Sequence, residues 1–331
     1  MRIKSLHLLG WIALAAATLH GQSTTPVYWS TNPAMDCNAN NLQEVSFTIP
    51  SGATVYSCYV SGTFVWLAAG GSWGTSIRVA APASGALGVD YTFYDPTANN
   101  LSLDTTFGNG SAPTSGNDVN FALFANQPAQ LDLLGATSDA PNHGSTATGS
   151  VFAQFYCPNA ITCLSVLPQL IYSETDPKFP WALSVPISWD GSQWSQWSAE
   201  GIDDGGSHRV SLVIYNQGTV ASIYTVRVYD GNGALAGIGT TAAVAGFGTY
   251  GDLLSNIVKT ALPSGIFKIL IDGGANLSSV AVLQISGQSA TTLQVAYDSA
   301  PSTSAIATSA LRSNVKRAPS IPKRVFNGLP K

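Results

Sequence analysis

Short runs of β-branched and aromatic residues, some alternating with polar positions and some continuous, recur along the chain between clusters of Gly, Asn, Asp and Pro. A two-residue period puts successive side chains on opposite faces of an extended backbone, so each run predicts a strand. The clearest are Glu44–Ile49, Thr75–Ala81, Leu87–Asp95, Val119–Ala125, Ser150–Tyr156, Arg209–Asn216, Ser222–Asp230, Ile266–Asp272, Ser279–Ile285 and Thr292–Tyr297. Only Asp252–Leu262 carries helical spacing. Asp95 to Thr97 and Asp230 to Gly233 read as hairpin turns. One open sheet of this length would leave an apolar face in water. The expectation is therefore an all-β chain folded as antiparallel β-sandwiches.

The two halves share an ordered self-similarity. Ser76-Ile-Arg-Val79 precedes Ser211-Leu-Val-Ile214 by 135 positions, and Tyr94-Asp95 precedes Tyr229-Asp230 by the same 135. Asp132-Leu-Leu134 precedes Asp252-Leu-Leu254 by 120, and Phe152 precedes Phe267 by 115. The spacing only shrinks, as it would if the second copy had shorter loops, because loop length is cheap to change. Asp104–Asp118, rich in Gly, Ser, Thr and Asn, reads as an insertion in the first copy. The expected organisation is a leader over 1–21, a first sandwich over 22–165, a second over 166–300, and a disordered basic tail over 301–331.

The second copy carries a local pattern. Val210-Ser-Leu-Val-Ile-Tyr-Asn-Gln-Gly-Thr219 is followed by Tyr224-Thr-Val-Arg-Val-Tyr-Asp-Gly-Asn-Gly233. Over these roughly 25 residues the chain resembles the adhesion-related, CARDB-like immunoglobulin-like domains of secreted bacterial proteins. In the first copy Ala81 stands where the Asn would be and Pro96 where the Gly after Asp would be. The resemblance implies tandem immunoglobulin-like sandwiches with an extracellular binding or spacing role, and it carries no catalytic residues.

Composition narrows the compartment. Arg2 and Lys4 precede an apolar run from Leu8 to Leu19 and then small residues, the layout of a secretory signal cleaved after Ala17 or Gly21. The run is too short for a stable membrane anchor. Cys37, Cys58, Cys157 and Cys163 are an even set in an exported chain and read as two disulfides. Three pairings exist, and Cys37 with Cys58 plus Cys157 with Cys163 is favoured because the second pair closes a short loop after a strand. All 18 acidic residues lie between Asp36 and Asp298 with only six basic ones among them, a net of −12. An acidic body argues against nucleic acid as a partner. The expected partner is an extracellular protein or glycan.

Candidate chemistry is thin. Gly70-Gly-Ser-Trp-Gly74 satisfies the nucleophile-elbow pattern with His143 or His208 downstream, but a helix must follow the Ser and Thr75–Ala81 reads as a strand. A hydrolase is thus the third reading. Asp203 with Asp204, Asp230 with Asn232, and Asp190 could offer oxygens to Ca²⁺, yet the spacing lacks the remaining carboxylates of a loop site. No cofactor or metal motif is found. Trp181, Trp189, Trp194 and Trp197 crowd one segment and could stack on sugar rings, the alternative reading of a carbohydrate-binding module; equally they could fill a junction between domains. Trp194-Ser-Gln-Trp-Ser198 also has the form of a WSxWS box, in which Arg209 or Arg227 would stack on the rings.

Six basic residues, Arg312, Lys316, Arg317, Lys323, Arg324 and Lys331, end the chain without an acid among them. Exposed charges are screened beyond about 8 Å at physiological salt, so the tail adds little to folding. Near an anionic surface several such residues act together, at about 1 kcal/mol each. Cutting after Pro301 is expected to leave Tm nearly unchanged and to lower retention on anionic vesicles in a salt-dependent way, measured by sedimentation across a salt series.

Overall fold

The computed structural model describes residues 58–109, 111–136, 146–174, 182–189, 194–203, 208–286, 289–293 and 295–297, with short pieces at 35–37, 46–49, 52–55 and 325–326. The chain is built of strands in four larger antiparallel sheets and one small one. The first sheet runs β1 (Met35–Asp36), β4 (Cys58–Ala69), β11 (Ala147–Cys157), β6 (Leu87–Tyr94), β9 (Asp118–Leu123), with β14 (Ser188–Trp189) also on β4. The second runs β13 (Ala182–Pro186), β12 (Gln169–Glu174), β5 (Trp73–Ala80), β10 (Pro128–Ala136), β7 (Leu103–Phe107), β8 (Thr114–Gly116). These two face each other across a core that includes Phe64, Val89, Tyr91, Phe93 and Phe155 on one side and Ile77, Leu131, Leu133 and Leu170 on the other.

The third sheet runs β18 (Leu235–Thr240), β17 (Thr225–Tyr229), β20 (Gly265–Asp272), β15 (Gln196–Asp203), β23 (Val295–Tyr297). The fourth runs β19 (Thr249–Leu253), β16 (His208–Asn216), β21 (Ser278–Ser286), β22 (Ser289–Leu293). Between them lies a second core of Trp197, Val226, Val228, Phe267, Ile269 and Ile271 against Leu212, Ile214, Val280 and Val282. The order β4-β11-β6-β9 in the first sheet has the same chain sequence as β15-β20-β17-β18 in the third. Likewise β10-β5-β12-β13 matches β19-β16-β21-β22. The strands thus correspond, but Phe152 is on the outer face of β11 while Phe267 is in the second core, so that pair does not correspond residue for residue. The hairpin β7–β8, inside the segment expected to be an insertion, has no counterpart in the second pair of sheets.

Several expectations shift. Residue 165 was the expected end of the first sandwich, yet β12, β13 and β14 all pair with its strands β5 and β4, so the chain crosses over after Trp189. Asp252–Leu262 is helical only over α2 (Leu254–Val258), because Thr249–Leu253 pairs with β16 as β19. In the tail, where no structure was expected, β24 (Val325–Phe326) pairs in parallel with β2 (Ser46–Ile49), which pairs with β3 (Gly52–Val55). The disulfides are Cys37–Cys58 and Cys157–Cys163, the favoured pairing.

The fourth sheet is apolar on both faces. Val213, Ala281 and Leu283, alternating with the core positions of β16 and β21, belong to the first core. Their partner is β4, buried along nearly its whole length. A bulge there sets two residues, Val65 and Trp66, opposite the single Ser150 of β11 and changes the phase of the strand. Thr249 Oγ1 donates to the Val65 carbonyl at 2.7 Å, and Thr249 N donates to the Pro96 carbonyl at 3.1 Å. A methyl group on Gly251 would sit 2.9 Å from the Trp66 ring, so glycine is what lets that ring approach β19. Nearby, Ser188 and Ser279 share a hydroxyl–hydroxyl bond at 2.5 Å.

Gly251→Val is therefore expected to destabilise the protein by about 1–3 kcal/mol through overpacking. Adding Trp66→Ala to it should recover part of that loss. Urea denaturation of both single variants and the double variant gives the coupling, expected to exceed about 0.5 kcal/mol.

Candidate functional site

The tryptophan segment is where the structure departs most from a binding platform. Trp189 is 6% exposed and meets Phe155 edge-on at 5.8 Å. Trp197 is 1% exposed, and its Nε1 donates to the Trp194 carbonyl and to Ser278 Oγ, each at 3.2 Å. Trp194 is half-buried against the same core. Trp181 lies outside the described residues. Trp189 fills space in the first core and Trp197 in the second, with Trp194 partly buried against the latter, so neither Trp189 nor Trp197 presents a face for stacking on a sugar. Arg227 is ion-paired with Asp272 at 3.5 Å.

The other sequence candidates resolve into turns. Gly70 to Trp73 is the hairpin between β4 and β5, with Trp73 N donating to the Gly70 carbonyl at 3.1 Å. Gly70 and Gly71 take φ of 83° and 63°, which suits glycine, and Ser72 leads into a strand and not a helix. Asp230 Oδ1 accepts the N–H groups of Asn232 and Ala234 at 2.9 Å, closing the turn before β18. Asp95 is spent in the same way. Burial works against its charge, but hydrogen bonds from Thr97 and Asn99 outweigh that and hold its carboxyl below the ordinary range. His143, Asp190 and Asp204 lie outside the described residues; His208 opens β16 and Asp203 closes β15. Among the described residues no three His, Cys, Asp or Glu side chains gather as a metal site would require. The phenol of Tyr91 is pushed far up by desolvation, and its hydroxyl has no partner in the apolar core. It serves as packing.

What the fold does create is a groove of about 570 Å³ on the outer face of the second sheet. Alternation builds its floor: Ile77 and Val79 of β5 point into the core while Arg78 points out. On β10, Leu131 and Leu133 point in, leaving Gln130 and Asp132 out. On β12, Leu170 is buried and Gln169 is not. Register then aligns the outward residues, with Gln169 and Gln130 flanking Arg78 on the two neighbouring strands. Arg78 Nε donates to Gln130 Oε1 at 2.9 Å, and Gln130 Nε2 donates to Asp132 Oδ1 at 2.7 Å.

Two loops raise the walls. The turn after β7 brings Gly108 and Asn109 to one side, tied down where Gly108 N donates to the Gln130 carbonyl at 2.9 Å. The Phe107 ring before it turns inward beside Leu131 and meets core Phe121 edge-on at 5.2 Å. The opposite wall is Leu167, 54% exposed. It follows α1 (Ala160–Leu164), whose start is capped by Asn159 Oδ1 accepting Thr162 N at 2.9 Å and whose Cys163 is bonded to Cys157 at the end of β11. Buried Val166 anchors the turn that leaves Leu167 outside. No Asp or Glu lines the groove.

Nothing in the hydrophobic pattern marks this site, because every member is an ordinary outward residue of a strand or loop. The one legible signal was charge: Arg78 is one of six cations in a body of 18 acids. No protein-family model matches the chain, and no curated protein sequence matches it. The functional reading therefore rests on geometry.

Trp189→Ala and Trp197→Ala are each expected to destabilise the fold by about 3–5 kcal/mol, as buried aromatic truncations do. Chemical denaturation measures the loss. An exposed sugar-stacking ring would instead cost little stability when removed.

Proposed function

We propose that this is an exported, non-catalytic binding protein made of two related immunoglobulin-like sandwiches, and that the Arg78 groove is its ligand site. The groove carries the reading: it combines a fixed cation, amide neighbours and apolar walls at a size typical of small-ligand sites. The matching strand orders support an ancestral duplication of one sandwich. The hairpin β7–β8 and the loop after α1, which distinguish the first sandwich, are the parts that wall the groove.

Two disulfides fit an extracytoplasmic protein, and no described helix is long and apolar enough to cross a membrane. Together with the leader-like start, they support export. The CARDB-like resemblance supports a role in surface interaction or adhesion. A carbohydrate-binding role through the tryptophan segment loses its support, since Trp189 and Trp197 are inside the cores.

A fragment and glycan screen followed by NMR or calorimetry tests the site. Arg78→Ala and Leu167→Ser are both exposed changes, expected to leave Tm within about 1 °C, since such surface substitutions shift stability little. Arg78→Ala should abolish, and Leu167→Ser should weaken, binding of whatever the wild type takes. Ligands bound equally by wild type and both variants would place the binding site elsewhere.

A further inference from the structure

The groove's chemistry narrows the ligand class. This step rests on the groove being the binding site. From the geometry we infer that it takes the free α-carboxylate of a peptide whose last residue is apolar, with the carboxylate on Arg78 and the terminal side chain against Leu167 and Pro128.

The argument begins with the guanidinium. Arginine presents a planar fork of donors that matches a carboxylate, and a fork held in advance loses less entropy on binding. Here Nε is engaged by Gln130, and Gln130 is itself held by Asp132, so the plane of the guanidinium has a fixed neighbour. Among the described residues no protein group accepts from the two terminal nitrogens of Arg78. They form the outer edge of the fork and suit the two oxygens of one carboxylate. Gln169, directly opposite Arg78 on β12, adds an amide within the same row.

Charge then decides the sign of the ligand. In a body of net −12, a groove with one Arg and no lining carboxylate is a local positive site. Anions are repelled elsewhere on the body and admitted here. Asp132 stands one position beyond the floor and already accepts from Gln130, so it orients the relay and leaves the arginine's charge in surplus at the groove.

The walls decide what carries the anion. Leu167 and Pro128 are hydrocarbon and exposed, and a surface of this kind favours an aliphatic or aromatic side chain. A uronic acid would also bring a carboxylate. Its ring, however, bears hydroxyls on all sides, which these walls would desolvate without hydrogen bonds, a net loss for each unpaired group. The Phe107 ring is turned into the core against Phe121, so no ring in the groove offers a stacking face. A volume of about 570 Å³ has room for a terminal residue and the one before it.

The test compares N-acetyl-Ala-Leu as the free acid, its C-terminal amide, N-acetyl-Ala-Asp amide and digalacturonic acid, by calorimetry on the full chain. The free acid should bind, and the amide should bind at least about tenfold more weakly, the usual loss for a charge-assisted bond. Arg78→Ala should abolish binding of the acid. Arg78→Lys should weaken it, because an ammonium lacks the fork. Leu167→Ser should reduce it while preserving the preference for acid over amide. Equal binding of acid and amide, tighter binding of digalacturonic acid than of the peptide acid, or no binding of the peptide acid at all would each overturn the assignment. A neutral ligand lost on Arg78→Ala would overturn this class while leaving the groove as the site. Binding insensitive to both Arg78→Ala and Leu167→Ser would remove the groove itself.

Discussion

Strand β4 has no solvent face to give away, and the arrangement of the whole chain follows from that constraint. One face must close the first core, with Phe64 and Leu67 on it, and the other must receive the fourth sheet. A regular alternation over twelve residues would aim one set of side chains uniformly at each neighbour. The bulge at Val65 and Trp66 breaks the phase of the strand at the point where the second sandwich arrives. There the second sandwich offers Thr249, whose hydroxyl reaches the Val65 carbonyl, and Gly251, whose lack of a side chain admits the Trp66 ring. A buried carbonyl left without its donor at this junction would cost on the order of 1–3 kcal/mol. The two sandwiches are consequently one packed assembly.

That coupling has a consequence for where a site can form. Sheet faces turned toward the junction are occupied by packing, and their polar residues are consumed by it: Ser279 bonds both Ser188 and Gln217. The outer face of the second sheet lies on the side of the first sandwich opposite to β4's packed face. It is free to carry an outward row of Arg78, Gln130 and Gln169 without a structural task beyond their own strand. The insertion β7–β8 and the disulfide-tied loop after α1 then convert a flat face into a groove. Packing and the groove thereby occupy opposite faces of a single sandwich.

The sequence was most informative where one physical rule acts alone. Period-two patterning located β5 and β20, each with one buried and one less buried face along much of its length, while runs of β-branched and aromatic residues located β6, β9, β11, β16 and β21. Loop closure favoured the short Cys157–Cys163 pair, which the structure contains. The longest strand, β4, escaped the pattern for the reason that makes it central: buried on both sides, its Cys-Tyr-Val-Ser-Gly-Thr-Phe run does not alternate. Tryptophan crowding was ambiguous between exposed platform and internal filling, since a ring supplies apolar area to either, and only burial separates the two. Arg78 did not stand out by position, because outward polar positions on a strand are the rule, and only its rarity as a cation in an acidic body set it apart.

The same logic explains why the candidate site is built from an arginine and amides and not from a catalytic set. An acid, a base and a nucleophile must be held within hydrogen-bond reach by elements that converge, typically at strand ends or loop clusters. Three carboxylates are instead tied into the turns that end strands: Asp95 with Thr97 and Asn99, Asp230 with Asn232 and Ala234, Asp272 with Gly274. Each accepts backbone N–H groups that a tight turn would otherwise leave unpaired, which is what an Asx turn supplies. Freeing any of them for chemistry would open the hairpin it closes. A face made of outward strand residues carries no such duty, so it can evolve a recognition surface while the turns keep the sandwiches in register.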